Sequence, residues 1–324
     1  MDTAVFQHAS SHGDKKDYQW LTQISRYSLL LVGLLLPLWF LPFSGSIDFS
    51  REVLFGILIF VSTAAWLLRS LFRGEISYKK SPLNIFFVAL VTIGGVSVVF
   101  SKIPYVALFS SDVVGERFLS VILYLLAALL ASAVFTDKKD VTLFALLMIG
   151  AAAVSAFLTL LGFFGIYVLP FSFAKRIDFN VVGTVNGLAI FYASLVVLVS
   201  GFLVGMRDIM RSLPIGIKVG LPVAGVLFLL NLFVVNFLTA WIAVLVGGIG
   251  IFSIYLHDMR KSGEMNRAFQ NPYFYCIAAL LLVSIVFIIV RSPIFPSVQF
   301  SAEVSPSFTA TQNIAWKTMT EGTK

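Results

Sequence analysis

The sequence VGLPVAGVLFLLNLFVVNFLTAWIAVLVGGIGIFSIYL, residues 219–256, runs for 38 positions without a charged side chain. As one helix it would measure about 57 Å at 1.5 Å per residue, nearly twice the hydrocarbon thickness of about 30 Å. Basic residues flank the stretch at both ends, which favours both ends on the same side of a membrane. The stretch therefore predicts a hairpin of two spanning helices, with its turn around residues 231–236.

The composition of the whole chain agrees with a membrane protein. Of the 324 residues, 59% are hydrophobic and 12% are charged, whereas soluble domains are about half apolar and about a quarter charged. These values exclude a disordered chain, a disulfide scaffold and a cytosolic enzyme with one compact core. A single cysteine, Cys276, and three scattered histidines predict neither a disulfide nor a metal site, and we expect no cofactor.

Apolar blocks of roughly 17 residues predict an all-α, polytopic membrane protein with about nine transmembrane helices. The predicted spans are residues 27–41, 53–68, 83–100, 118–135, 141–161, 185–206, 219–235, 237–255 and 273–290. We expect a short N-terminal tail (1–26), a transmembrane helical domain (27–290) and the beginning of an external loop or domain (291–324). Eight spans remain the alternative if residues 219–256 do not form a hairpin.

The distribution of lysine and arginine orients these spans. Fifteen basic residues fall in the N-terminal tail and the even-numbered connections, and five fall in the odd-numbered connections. Because cytoplasmic loops are enriched in lysine and arginine, the N-terminus is predicted to be cytoplasmic. With nine spans the C-terminal tail is external, and we expect a multi-pass membrane protein.

Charged residues are expected outside the spans or at their edges. Ion-coupled transporters usually carry ionisable side chains within the membrane. An ion-coupled transporter is therefore the least favoured of the function classes that we consider.

Cations on the external side run against the orientation rule and point to a ligand. They lie mainly in two connections, residues 101–117 and 174–186. A pyrophosphate would account for them, because arginine offers phosphate a planar fork of donors. The candidate residues for binding a donor diphosphate are Arg117, Lys175, Arg176 and Lys102. The alternative is that these cations are interfacial anchors, with Arg117 pairing with Glu116 or Asp112.

Three segments resemble the membrane part of the bacterial O-antigen ligase and polymerase superfamily. The first is FSKIPYVALFS (100–110) together with GER (115–117), which is similar to an outer loop of that family. The second is FNVVGTVNGLAI (179–190), similar to a loop that enters the sixth span. The third is SAEVSPSF (301–308) with NIAW (313–316), similar to the segment that opens the family's large external domain.

The resemblance implies a metal-independent glycosyltransferase of the GT-C type. Such an enzyme moves a glycan from an undecaprenyl diphosphate donor to a lipid, saccharide or protein acceptor in cell-envelope polysaccharide synthesis. Its partners would be the lipid-linked glycan and membrane lipid, with no nucleic acid. By the resemblance Gly183, Asn186 and Glu303 shape the site, although Gly183 and Asn186 are also explained as the beginning of a helix.

In the family, a glycine-rich segment, a histidine-containing loop and further spans would follow residue 324. We therefore expect this chain to be the N-terminal portion of a ligase-like enzyme, or to need a partner subunit for catalysis. The alternative function is a non-catalytic membrane protein that binds, flips or scaffolds lipid-linked saccharides.

Overall fold

The computed structural model describes most of the chain. The described residues are 3–5, 18–41, 47–74, 77–79, 82–101, 105, 108, 118–177, 179–205, 213–261, 263 and 272–290. The predicted site residues Arg117, Lys102 and Glu303 lie outside them. All structural statements below concern the described residues.

The described part is helical apart from one short strand pair. Its nine long helices are α1 (Gln19–Leu35), α2 (Ile47–Arg73), α3 (Pro82–Val99), α4 (Phe118–Val134), α5 (Lys138–Phe163), α6 (Val185–Gly205), α7 (Ile215–Val235), α8 (Leu238–Lys261) and α9 (Pro272–Val290). Strand β1 (Thr3–Val5) pairs antiparallel with β2 (Ser77–Lys79). Five helices, α2 and α5 to α8, are long and apolar enough to cross a membrane, which agrees with a multi-pass helical membrane protein.

The first helix begins eight residues before the predicted span. It starts at Gln19 rather than at residue 27, so Arg26 lies inside a helix and not in a tail. A search for apolar blocks misses this start because a helix needs only one buried face. That face is formed by Leu21, Ser25 and Leu29, which are spaced at helical intervals and buried.

The stretch 219–256 is divided into two helices, as its length predicted. Helix α7 ends at Val235, and Asn236 adopts a left-handed conformation with φ of 45°. The N–H of Asn236 donates to the carbonyl of Leu232 at 2.8 Å, and its side-chain oxygen accepts the indole N–H of Trp241 at 3.0 Å. Asparagine tolerates this conformation better than most residues, so the chain turns here.

Helices α7 and α8 pack on α6 in opposite directions. On α7, Gly225 packs against Val199 of α6 and Phe228 stacks on Tyr192, so these two helices are antiparallel. On α8, Gly247 lies against Val197 and Ile251 approaches Gly201, so α8 runs parallel to α6. The chain therefore reverses between α7 and α8, as expected for a hairpin.

Two ends of the helix bundle are distinguished by contacts between distant segments. At one end Arg26 of α1 forms a 2.5 Å ion pair with Asp140 in the first turn of α5. We call this the Arg26 end. At the other end Arg51, near the beginning of α2, contacts Trp39 and Val182, and we call this the Arg51 end. Within the described residues, the beginnings of α1 and α5 thus lie at one end, and the first and fifth connections contribute to the other.

Candidate functional site

The two predicted cations that the structure describes are exposed. Lys175 and Arg176 follow the short 3-10 helix Ser172–Ala174 in the loop between α5 and α6. Arg176 lines a cavity of only about 30 Å³ together with Asn180. That volume suits a water molecule or two and is far too small for a diphosphate.

Gly183 has a defined conformational role. Its φ of +105° is one that side-chain-bearing residues rarely adopt. The buried side chain of Asn180 fixes this turn, because its Oδ1 accepts the N–H of Val182 at 2.9 Å and its Nδ2 donates to the carbonyl of Gly183 at 3.1 Å. The turn presents the carbonyl of Val182 to α2, and a part for Gly183 in ligand binding stays a prediction.

Asn186 is the second residue of α6 and is half-buried. The helix begins directly after Thr184, whose hydroxyl oxygen accepts the N–H of Gly187 at 3.0 Å. This is the bond that an N-cap residue makes to the third position of a helix. Thr184 therefore caps α6, and Asn186 follows within its first turn.

Arg51 joins three segments of the chain at the Arg51 end. Its Nε donates to the carbonyl of Trp39 at 3.1 Å, and its Nη1 donates to the carbonyl of Val182 at 2.7 Å. A guanidinium has five N–H donors, and these two bonds use two of them. Both carbonyl acceptors are neutral, so they orient the guanidinium without cancelling its charge.

A largely apolar cavity of about 440 Å³ opens beside Arg51. Its volume lies within the range of small-molecule sites. Among the described residues that line the cavity, only the neighbours Arg51 and Glu52 have charged side chains. The remaining lining is aliphatic and aromatic: Val32, Gly33, Leu36, Pro37, Phe55, Tyr124, Phe144, Met148, Val182 and Phe191.

Glu52 is held by a side chain of α4. Its Oε1 accepts a short hydrogen bond from the hydroxyl of Ser120, which is fully buried. Phe55 and Tyr124 continue the same contact between α2 and α4, with ring centroids 5.4 Å apart. The carboxylate of Glu52 is therefore fixed by α4 in the wall of the cavity that Arg51 also lines.

Trp39 adds a donor at this end of the bundle. Its indole N–H is buried and makes no hydrogen bond within the described part of the chain. A buried donor without an acceptor is unfavourable by about 1–3 kcal/mol. Trp39 thus supplies an acceptor for Arg51, whereas its indole N–H is buried outside the lining of the large cavity.

The structure therefore places the charged cavity at residues that the sequence did not select. Arg51 was counted among the external cations, and its position before a long apolar run was the available signal. Glu52, Ser120 and Asn180 gave no signal, because their roles depend on partners in other helices or loops. Comparison of the chain with known protein families, with curated proteins and with solved structures gives no match.

Proposed function

We propose that this chain is a nine-span membrane protein that binds the diphosphate of a lipid-linked saccharide at Arg51. The first isoprene units of the lipid chain would lie in the adjacent apolar cavity, and the rest of the chain would lie in the bilayer. In this proposal the Arg51 end faces the outside of the inner membrane, as the lysine and arginine distribution predicts. The observation that supports this proposal is the oriented guanidinium of Arg51 in the wall of an apolar cavity of about 440 Å³.

The chemistry of the cavity fits both parts of such a ligand. An apolar wall suits an isoprenoid chain, because it is as apolar as the bilayer interior from which the chain comes. A diphosphate needs cations and N–H donors, and arginine supplies both in a planar fork. Arg51 is the cation in the cavity wall that we assign to the diphosphate.

Glycan transfer is the reaction that the resemblance to O-antigen ligases implies. The diphosphate is an activated leaving group, so the enzyme needs cations for its developing charge and a group that orients the acceptor hydroxyl. Glu52 is the carboxylate in the cavity wall that can accept a proton from that hydroxyl. Arg117 remains the residue that the resemblance favours for the diphosphate, and Arg117→Ala is expected to insert normally and to lose transfer.

The first experiment is a binding titration with purified protein in nanodiscs. Undecaprenyl diphosphate, undecaprenyl phosphate and undecaprenol differ only in their headgroups, so their affinities isolate the contribution of phosphate. We expect the diphosphate to bind most tightly and Arg51→Ala to weaken it by about tenfold or more, because charge-assisted hydrogen bonds contribute about 1.5–3 kcal/mol. Equal affinity for undecaprenol, or an unchanged affinity in Arg51→Ala, would refute the diphosphate site.

Two variants serve as controls. Arg260→Ala removes an exposed cation in the last turn of α8 that does not line the large cavity, and it should leave the affinity unchanged. Arg51→Lys keeps the positive charge and shows whether a loss in Arg51→Ala reflects charge or folding. Incubation with a lipid-linked saccharide and an acceptor then separates the two function classes, because a binding or flipping protein releases the donor unchanged.

A further inference from the structure

The loop that joins α5 to α6 exposes an unusual number of large apolar side chains. Phe164, Ile166 and Val168 have 76%, 56% and 57% of their surface exposed, and Tyr167 and Phe173 are also exposed. These residues lie outside the long helices, so the packing of those helices does not explain them. They belong to one loop, which we call the loop platform and define as residues 164–177 and 179.

Both ends of the loop platform are fixed by local hydrogen bonds. At its beginning, the N–H of Gly165 donates to Gly162 at 3.0 Å and that of Ile166 donates to Leu161 at 2.9 Å. This pair of bonds, with φ of +77° at Gly165, is the Schellman ending of a helix. At its end, the Asn180 turn described above leads into α6. The exposed side chains are thus held on an ordered backbone.

Aromatic stacking connects the loop platform to the Arg51 end. Phe171 and Phe173 stack with ring centroids 5.3 Å apart, and Phe173 contacts Phe179 at 5.6 Å. Phe40 packs edge-on against Phe171 and Phe179 at 6.1 and 6.2 Å. Phe40 directly follows Trp39, which accepts a hydrogen bond from Arg51, so the loop platform lies next to the charged cavity.

The position of the loop platform in the chain indicates what it contacts. It begins where α5 ends and finishes before α6, and both helices are long and apolar enough to cross a membrane. A non-helical backbone is not stable in the hydrocarbon layer, because its polar groups would lack partners. The loop therefore belongs at the headgroup level, where aromatic side chains are enriched.

We propose that the loop platform docks on the headgroup layer at the Arg51 end and binds anionic phospholipid there. The exposed aromatic and aliphatic side chains enter the boundary between headgroups and acyl chains. Lys175 and Arg176, which are exposed on the same loop, attract the negatively charged headgroups. This proposal does not rest on the diphosphate site, since its test contains no undecaprenyl lipid.

The test uses fluorophores attached at single cysteines. In a Cys276→Ala background, which removes the one native cysteine, Ile166→Cys and Val168→Cys place labels on the loop platform. Thr136→Cys, in the exposed polar connection between α4 and α5, is the control. Nanodiscs contain phosphatidylglycerol or phosphatidylcholine with a nitroxide at the headgroup, and iodide serves as the aqueous quencher.

We expect headgroup nitroxide to quench labels at residues 166 and 168 at least about twofold more than the label at Thr136, with iodide showing the opposite order. Nitroxide on phosphatidylglycerol should quench these labels about twofold more than nitroxide on phosphatidylcholine, because the cations enrich anionic lipid. Lys175→Gln with Arg176→Gln should abolish that difference. Iodide quenching equal to that at Thr136 would overturn the docking, and equal quenching by the two lipids would overturn the preference for anionic lipid.

Discussion

The guanidinium of Arg51 donates a 2.7 Å hydrogen bond to the carbonyl of Val182, 131 residues further along the chain. The bond ties the beginning of α2 to the loop that precedes α6. The same guanidinium bonds Trp39, which follows α1, so one side chain fixes three segments around the cavity. This relationship makes Arg51 both a candidate ligand contact and a structural connection.

Arg51→Lys should destabilise the protein while keeping its charge. An ammonium group on a flexible stem cannot reproduce the planar geometry that serves both carbonyls. We expect the free energy of unfolding to fall by about 1–3 kcal/mol, the contribution of one hydrogen bond to a charged group. Thermal unfolding in detergent measures the change, and Arg176→Lys on the exposed loop is the control that should not shift Tm.

Glu52→Gln should tighten the binding of a lipid diphosphate. The amide oxygen can still accept the Ser120 hydroxyl, so the fold should be retained, but a negative charge near the proposed anion site is removed. A gain of about threefold in affinity is expected from the weakened repulsion at protein dielectric. A weaker affinity in the same titration would mean that Glu52 supports Arg51 rather than opposing the ligand.

Loss of either partner of the Arg26–Asp140 ion pair should destabilise the contact between α1 and α5. The side chain of Asp140 is 8% exposed and that of Arg26 is 30% exposed, so solvent screens the pair only in part. We expect about 1–3 kcal/mol for Arg26→Gln or Asp140→Asn, below the range for fully buried pairs. A double-mutant cycle checks the assignment, because the double variant should lose less than the sum of the single variants.

Two glycines of α8 allow the same substitution by alanine to be compared at a crowded and at an open position. A Cβ at Gly247 would lie 2.6 Å from Cγ2 of Val197, whereas a Cβ at Gly250 would meet nothing within 4 Å. Gly247→Ala should therefore destabilise the packing of α8 on α6 by about 1–3 kcal/mol. Gly250→Ala should be neutral or stabilising, since alanine favours a helix over glycine by about 1 kcal/mol. Recovery of Tm in Gly247→Ala with Val197→Ala would identify the clash as the cause.

Asn236→Ala and Asn236→Gly separate the two roles of the turn residue. Alanine loses the bond to Trp241 and is strained at φ of 45°, with an expected loss of about 2–3 kcal/mol in the free energy of unfolding. Glycine loses the bond but adopts this φ readily. The free energy of unfolding should therefore fall by about 1–2 kcal/mol less in Asn236→Gly than in Asn236→Ala. Equal losses in the two variants would contradict the argument from conformation.

The sequence predicted the structure correctly where the length of an apolar stretch decides how many helices it forms. The 38 uncharged residues of 219–256 are too long for one span, and the structure divides them at Asn236. Helix α1 begins eight residues before the predicted apolar span, because its first two turns contain polar residues, Arg26 among them, that a search for apolar blocks passes over. The number of membrane crossings and their orientation stay predictions.

The charged cavity was beyond sequence reasoning for a different reason. The side chain of Arg51 donates hydrogen bonds to Trp39 and Val182, and that of Glu52 accepts a hydrogen bond from Ser120. None of these partners is a neighbour in the chain, and two of them contribute only backbone carbonyls. A backbone carbonyl is present at every position, so no residue pattern marks where one will be used.

The residues that line the large cavity all lie between Val32 and Phe191. During synthesis the N-terminal part of a chain is available for folding first. The helices that line the cavity are therefore synthesised before α7, α8 and α9, which then pack on the earlier helices. Helix α7 also packs on α5, where Nδ2 of Asn231 donates to the carbonyl of Ala156 at 3.2 Å, so a change in α7 can reach the cavity wall through α5 as well as through α6.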